Sequence, residues 1–278
     1  MKSGTLQKFQ RSSYRINRFM FDKKFFYLVT IQYLGYRFHG WQKQPKVKTI
    51  HHMIDRTLKY IMEEDYFKTL GAGRTDAMVS AENAAFEIFT KKPLSNLEDF
   101  LNLFNNNLPQ DIRALSISEV SEDFNIINHS KEKEYNYLFA HGGKFHPFCA
   151  PIMTTILDEL DVDSMQRAAA LFEGKHNFKA YCYKPSNSGK YIRTITKCEL
   201  VENTRYRANF FPEKSYLLIV KGKGFGRNQI RLIMGALIEI GRGDIDEEFV
   251  KKSLSEDFNQ QMSFIAPASG LILQNINF

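Results

Sequence analysis

Apolar and polar positions follow two rhythms along this chain, and the changes of rhythm mark its elements. "FFYLVTIQYLG" (25–35) is rich in β-branched and aromatic residues and stops at Gly35, which predicts a strand. Ile50, Met53, Ile54, Leu58, Ile61 and Met62 then fall at helical spacing behind Thr49, a residue type that caps helices. "YFKTLGAG" (66–73) and "AAFEIFT" (84–90) read as strands on either side of a glycine-rich turn. Leu94, Leu97, Phe100, Leu101 and Phe104 predict a second helix that ends near Pro109, and "IRALSISEV" (112–120) is another strand. The order is β-α-β-β-α-β, the split βαβ unit of a ferredoxin-like half.

The same order returns further along. "YNYLFAH" (135–141) predicts a strand, and Asp163 a cap for a helix carrying Met165, Ala168, Ala169 and Phe172. "RTITKCELVE" (193–202) and "SYLLIVKG" (215–222) are strands separated by a turn near Pro212. Ile230, Ile233, Met234, Leu237 and Ile238 form one helical stripe, followed by Gly241 and Gly243, and "GLILQNINF" (270–278) closes as a strand. The expected fold is therefore α+β: two tandem ferredoxin-like (split βαβ) units with adjoining antiparallel sheets and a cleft where they meet. The duplication lies in element order, since the residues of the halves align poorly. The expected divisions are a basic extension over 1–24, one α+β unit over 25–125 and another over 126–278, with a polar, charged link near 122–134.

Composition adds boundaries. A chain of 278 residues buries a substantial core, and no apolar run approaches the roughly 20 residues of a membrane span. No signal-peptide pattern opens it, and Cys149, Cys182 and Cys198 are widely spaced, so reduced thiols in a reducing, cytoplasmic setting are expected. Residues 1–24 carry seven Lys and Arg against Asp22, which is +6 of the net +7. That leader reads as an RNA-contacting arm, a solvated tail or a targeting segment. Any basic groove on the body must then come from local clustering.

Two kinds of site are set aside. "GKGFGR" (222–227) has Arg227 where a dinucleotide-binding loop needs glycine, so it reads as a tight strand-to-helix turn. His141, His146 and Cys149 lack the spacing of a zinc site. No metal and no cofactor is expected.

"TLGAGRTDAMVSA" (69–81) carries more chemistry. Gly71 and Gly73 allow close backbone approach, and Arg74 and Asp76 share a face if the stretch is extended. The plain alternative is an Asx-type turn with Arg74 in solvent. A lone buried carboxylate drifts toward its neutral form, and a neutral acid is useless as a nucleophile or base. A catalytic Asp76 therefore needs a fixed cation from elsewhere. The second half offers Arg227 and Arg231 at i, i+4, expected on one face at the start of a helix. Tyr135 and Tyr137 alternate on the strand behind "HSKEKE", read with one facing a cleft and the other a core, or with both as packing residues. A cleft tyrosine stacks on a nucleobase. Trp41 in "FHGWQKQ" has a packing reading.

Five segments in order, "YLGYRFHGWQKQP", "GAGRTDAMVSA", "KEKEYNYLF", "GKGFGRNQIRLIMGALIEIGRG" and "APASGLILQNINF", resemble the TruA family of tRNA pseudouridine synthases. The resemblance runs through most of the chain after residue 27. It implies two ferredoxin-like domains around a basic cleft, conversion of uridine to pseudouridine in tRNA without cofactor, with the anticodon arm as the default target, and a homodimer. By the same resemblance Asp76 is the catalytic aspartate, Tyr135 lies against the target base, Arg231 pairs with the aspartate, and Arg74 fills the space left by the flipped base. Lys131, Lys133 and Arg227 become candidate phosphate contacts. Met78 and Ser80 stand where the family usually has glycine and histidine, Leu34 where it commonly has aspartate, and Lys133 where it often has arginine. A non-catalytic RNA-binding protein on the same scaffold and a synthase acting on a different RNA are the competing readings.

Overall fold

The computed structural model describes residues 25–62, 66–186 and 189–278, so the basic leader lies outside the described residues. In the first half β1 (Phe25–Tyr33), α1 (Ile50–Met62), β2 (Phe67–Gly71), β3 (Ser80–Thr90), α2 (Leu97–Asn107) and β4 (Ile112–Glu119) follow in turn. In the second, β5 (Glu132–His141), β6 (Thr154–Ile156), α3 (Val162–Ala170), β7 (Gly174–Asn177), β8 (Ile192–Glu202), β9 (Tyr216–Gly222), α4 (Gln229–Arg242), α5 (Glu247–Ser253) and β10 (Leu271–Asn277) follow.

The halves share one topology. The first pairs β4-β1-β3 with β2 on the outer edge of β3, and the second pairs β10-β5-β9-β8. Each is thus ordered fourth, first, third, second, with β6 and β7 as additions to the second. The two four-stranded units merge into one sheet because β10 also pairs with β3, at Ile272↔Ser80 and Leu273↔Ala81. That seam is parallel, whereas the pairs within each four-stranded unit are antiparallel. β2 takes the same edge of β3 further along, from Gly71↔Phe86 to Phe67↔Thr90. The loop 72–79, which joins β2 to β3, is therefore held beside the seam.

Local chemistry explains the helix ends. Thr49 Oγ1 accepts the His52 N–H, and Asn96 caps α2 through the N–H groups of Glu98 and Asp99. The cap of α3 is Asp161, which accepts from Ser164, so the expected cap Asp163 sits inside the first turn. One apolar cluster gathers α1, α2 and the first half of the sheet; a second gathers α3, α4 and the other half. Tyr135 packs against both. The 122–134 link is packed rather than free: Ile126 is fully buried, its N–H bonds a Glu87 carboxylate oxygen at 3.3 Å, and Phe124 meets Phe278 edge-on.

Candidate active site

A cleft of about 980 Å³ opens at the seam. One wall is the 73–79 loop, the other the turn between β9 and α4, and Tyr135 of β5 lies among the lining residues.

The loop is fixed from beneath. Trp41, 4% exposed, donates its backbone N–H to Thr75, and Met78 donates to Phe38. Tyr33 Oη lies 2.9 Å from Thr75 Oγ1. The Trp41 ring stacks on His51 at 5.7 Å, and a Cβ on Gly71 would fall 2.5 Å from Trp41 Nε1, so only glycine lets that ring in. Gly35 is equally constrained: its N–H reaches Ser80 Oγ at 2.9 Å, and a Cβ there would lie 2.0 Å from the Val79 carbonyl oxygen. Ser80, a departure from the family pattern, thus ties the loop's end to β1's end. Met78 sits at φ 66°, a left-handed conformation in which the family's usual glycine is at ease.

From the other wall Arg231 enters. Its Nε donates to the Ala266 carbonyl at 2.7 Å while its own carbonyl accepts the Ala266 N–H at 3.1 Å. So anchored, its Nη1 stands 3.8 Å from Asp76 Oδ2, with the two side chains 17% and 38% exposed. Burial pushes the Asp76 carboxyl above its usual range, and Arg231 and then Arg227 pull it back. Burial likewise lowers Arg231, opposed by Asp76. The result is a carboxylate made more basic than an ordinary aspartate, with two guanidinium groups favouring its charged form. Tyr135 presents its ring edge-to-face to Phe225 at 5.4 Å, and burial together with the Asp76 charge raises its phenol, so it stays neutral.

The remaining expected residues divide. Arg74 is exposed on the cleft wall, as is Arg227. Arg227 lies outside α4, which begins at Gln229 after a left-handed Asn228, so the expected i, i+4 face is not what brings it within reach of Asp76. Lys133 lines the cleft, but its Nζ donates to the Ala72 carbonyl at 3.0 Å and burial lowers its pKa. It supports the glycine-rich loop. Lys131 is exposed and stands apart from the cleft walls. Tyr135 and Tyr137 share one face of β5, as strand period two requires. Depth along the strand separates them: Tyr137 is fully buried, with its hydroxyl on Thr154 and the Pro267 carbonyl. His39, Gln42, Gln44, Arg193 and Phe225 also line the cleft. The sequence marks none of them, although the polar run around Trp41 holds three.

Neither half alone encloses this cleft, which makes it the joint product of a duplicated ferredoxin-like α+β scaffold with its ionised groups at the junction. Within that class the chain belongs to the tRNA pseudouridine synthase family, whose sequence model matches residues 29–127 and 168–278. It is 32% identical over 256 residues to "tRNA pseudouridine synthase A 2" of Bacillus cereus, covering 91% of this chain and 99% of that one. A Clostridium perfringens protein of the same name is 30% identical over 250 residues, covering 89% of this chain and 97% of that one. "tRNA pseudouridine synthase A" of Acetivibrio thermocellus is 31% identical over 250 residues, 90% of this chain and 98% of that one.

Proposed function

We propose that this protein isomerises uridine to pseudouridine in tRNA, with the anticodon arm as its target, and that Asp76 performs the chemistry. What carries the reading is Asp76 of the first half and Tyr135 of the second lining one cleft, with Arg231 of the second half 3.8 Å from Asp76.

A stacked uridine must leave its helix first, at a cost of a few kcal/mol. Arg74, exposed at the rim, takes the vacated space. Asp76 then acts at the sugar by one of two routes. Its carboxylate adds to C1′ as the C1′–N1 bond breaks and uracil leaves as the anion, or it removes the C2′ proton to drive the same cleavage. On either route uracil turns within the cleft and C5 bonds to C1′, as the C1′–O bond to Asp76 breaks or the C2′ proton is returned; the C5 proton then leaves and N1 gains a proton. Tyr135 stacks on the detached base and shields it from water. A phenol held neutral must pass on its own proton if it accepts another, so Asp76 with its raised pKa is the better final acceptor. Arg231 holds the carboxylate in place and in its charged form.

A cytoplasmic homodimer belongs to the same proposal, by analogy with the family; among the described residues no helix is long and apolar enough to cross a membrane. Light scattering on the purified protein tests the dimer. For the activity, incubating the protein with tRNA transcripts, with and without EDTA, and quantifying pseudouridine is decisive. Product in both samples is expected. Binding without product would leave a non-catalytic RNA-binding protein, and product lost with EDTA would mean metal-dependent chemistry.

A further inference from the structure

We propose that Tyr183 and Lys184, packed around Arg227 of the cleft lining, form with it a phosphate-gripping rim that holds the RNA backbone beside the flipped uridine; this rests on the RNA reading above. The Arg227 guanidinium carbon lies 4.9 Å from the Tyr183 ring centroid, and Lys184 Nζ lies 5.3 Å from the same centroid. The Tyr183 N–H donates to the Arg227 carbonyl at 3.0 Å, so the two segments are tied through their backbones.

This arrangement brings two cations no further than about 10 Å apart. At that limit, just beyond the roughly 8 Å screening length of physiological salt, the repulsion is weak, and it grows at any closer approach. Elsewhere the protein resolves such a meeting with a carboxylate: Arg205 and Lys221 converge on Glu134 at 3.1 and 3.0 Å. At Tyr183 no carboxylate forms a salt bridge with either cation among the described residues. The tyrosine face offsets part of the repulsion and fixes both side chains at cation–π distance. Lys184 also holds φ 49°, a conformation lysine adopts only at a cost. The adjoining N-terminus of α4 has no side-chain cap, and its field favours an anion too. Asp76 engages Arg227 at longer range and forms no salt bridge with it, so Lys184 and the outward side of the cluster are left for negative charge from outside, which beside an RNA-modifying cleft is a phosphodiester.

The test compares Lys184→Ala, Tyr183→Leu and Tyr183→Phe with wild type, using a tRNA transcript. Kd is measured across a salt series, the single-turnover rate at saturating RNA, and the thermal midpoint as a check on folding. Lys184→Ala is expected to raise Kd about 5-fold and to flatten the log Kd–log salt slope by about 0.7–0.9, the loss of one phosphate contact. Its rate at saturation stays near wild type. Tyr183→Leu, which removes the platform for both cations, weakens binding at least as much, whereas Tyr183→Phe keeps the ring and binds normally. Wild-type Kd and slope in a folded Lys184→Ala protein would overturn the rim, as would a Tyr183→Phe defect equal to that of Tyr183→Leu. Loss of the slope in a series whose wild type makes no pseudouridine would support the rim while removing the proposed reaction. Pseudouridine formation with an unaltered slope would remove the rim alone.

Discussion

Gly235 lies one helical turn after Arg231 on α4, outside the cleft lining, and a methyl group there tests how finely the guanidinium must be placed. A Cβ at this position would sit 1.9 Å from the Phe264 carbonyl oxygen, where real contacts stay beyond 3.0 Å, so Gly235→Ala forces backbone apart by about 1 Å. The strand of chain that must move is the one that anchors Arg231, through both hydrogen bonds to Ala266. Displacements of about 1 Å cost on the order of 100-fold in rate when they misplace a catalytic constellation. Overpacking costs about 1–3 kcal/mol, partly offset by roughly 1 kcal/mol of better helix propensity, so the protein should still fold. The assay is single-turnover tritium release from RNA carrying uridine labelled at C5, because that hydrogen leaves only when C5 has bonded to the sugar. The expected result is a rate about 100-fold lower with Kd for RNA nearly unchanged. A folded Gly235→Ala protein working at the wild-type rate would refute the claim that Ala266 positions Arg231 for the reaction.

Three further outcomes follow from the same geometry. In Arg231→Gln the acid limb of the rate–pH profile should move to higher pH, because burial then raises Asp76 with only Arg227 opposing it; a limb that stays in place or moves down contradicts the pairing. Asp76 has its pKa raised on folding, so the native state binds its proton more readily and stability falls as pH rises from the ordinary carboxylate range through the raised value. Asp76→Asn should consequently melt no lower than wild type at neutral pH, with the difference shrinking as pH falls, and a clearly lower melting point at neutral pH would reverse that sign. Trp41→Ala should cost about 3–5 kcal/mol in urea denaturation, as the loss of a buried Trp usually does, and an unchanged midpoint would show that the ring does not support the loop.

Much of this was legible in the order of residues. β1, α1 and the apolar stripe of α4 depend on local periodicity, and the Thr49 cap on short-range chemistry, so each could be read without knowing the fold. Elements created by distant partners could not. β3 begins at Ser80, four residues before its apolar run, because β10 pairs with Ser80 and Ala81 from the far end of the chain. β7, with the polar sequence "GKHN", is a strand only because β8 lies alongside it. The charged link hid Ile126, whose burial comes from a sheet already built. The site divides in the same way. The helix pattern offered Arg227 and Arg231 alike, and only the resemblance singled out Arg231; the short reach of Lys133 to the Ala72 carbonyl needs the two halves together, and the placing of Phe225 against Tyr135 needs the folded second half.

In the proposed reaction Asp76 does the chemistry while Arg231 holds it and Tyr135 orients the base. Its most direct test is Asp76→Asn, purified and compared with wild type for tRNA affinity and for pseudouridine quantified by mass spectrometry after digestion. RNA should bind as tightly as to wild type, and no pseudouridine should form. Measurable turnover by the pure variant would contradict that role for Asp76.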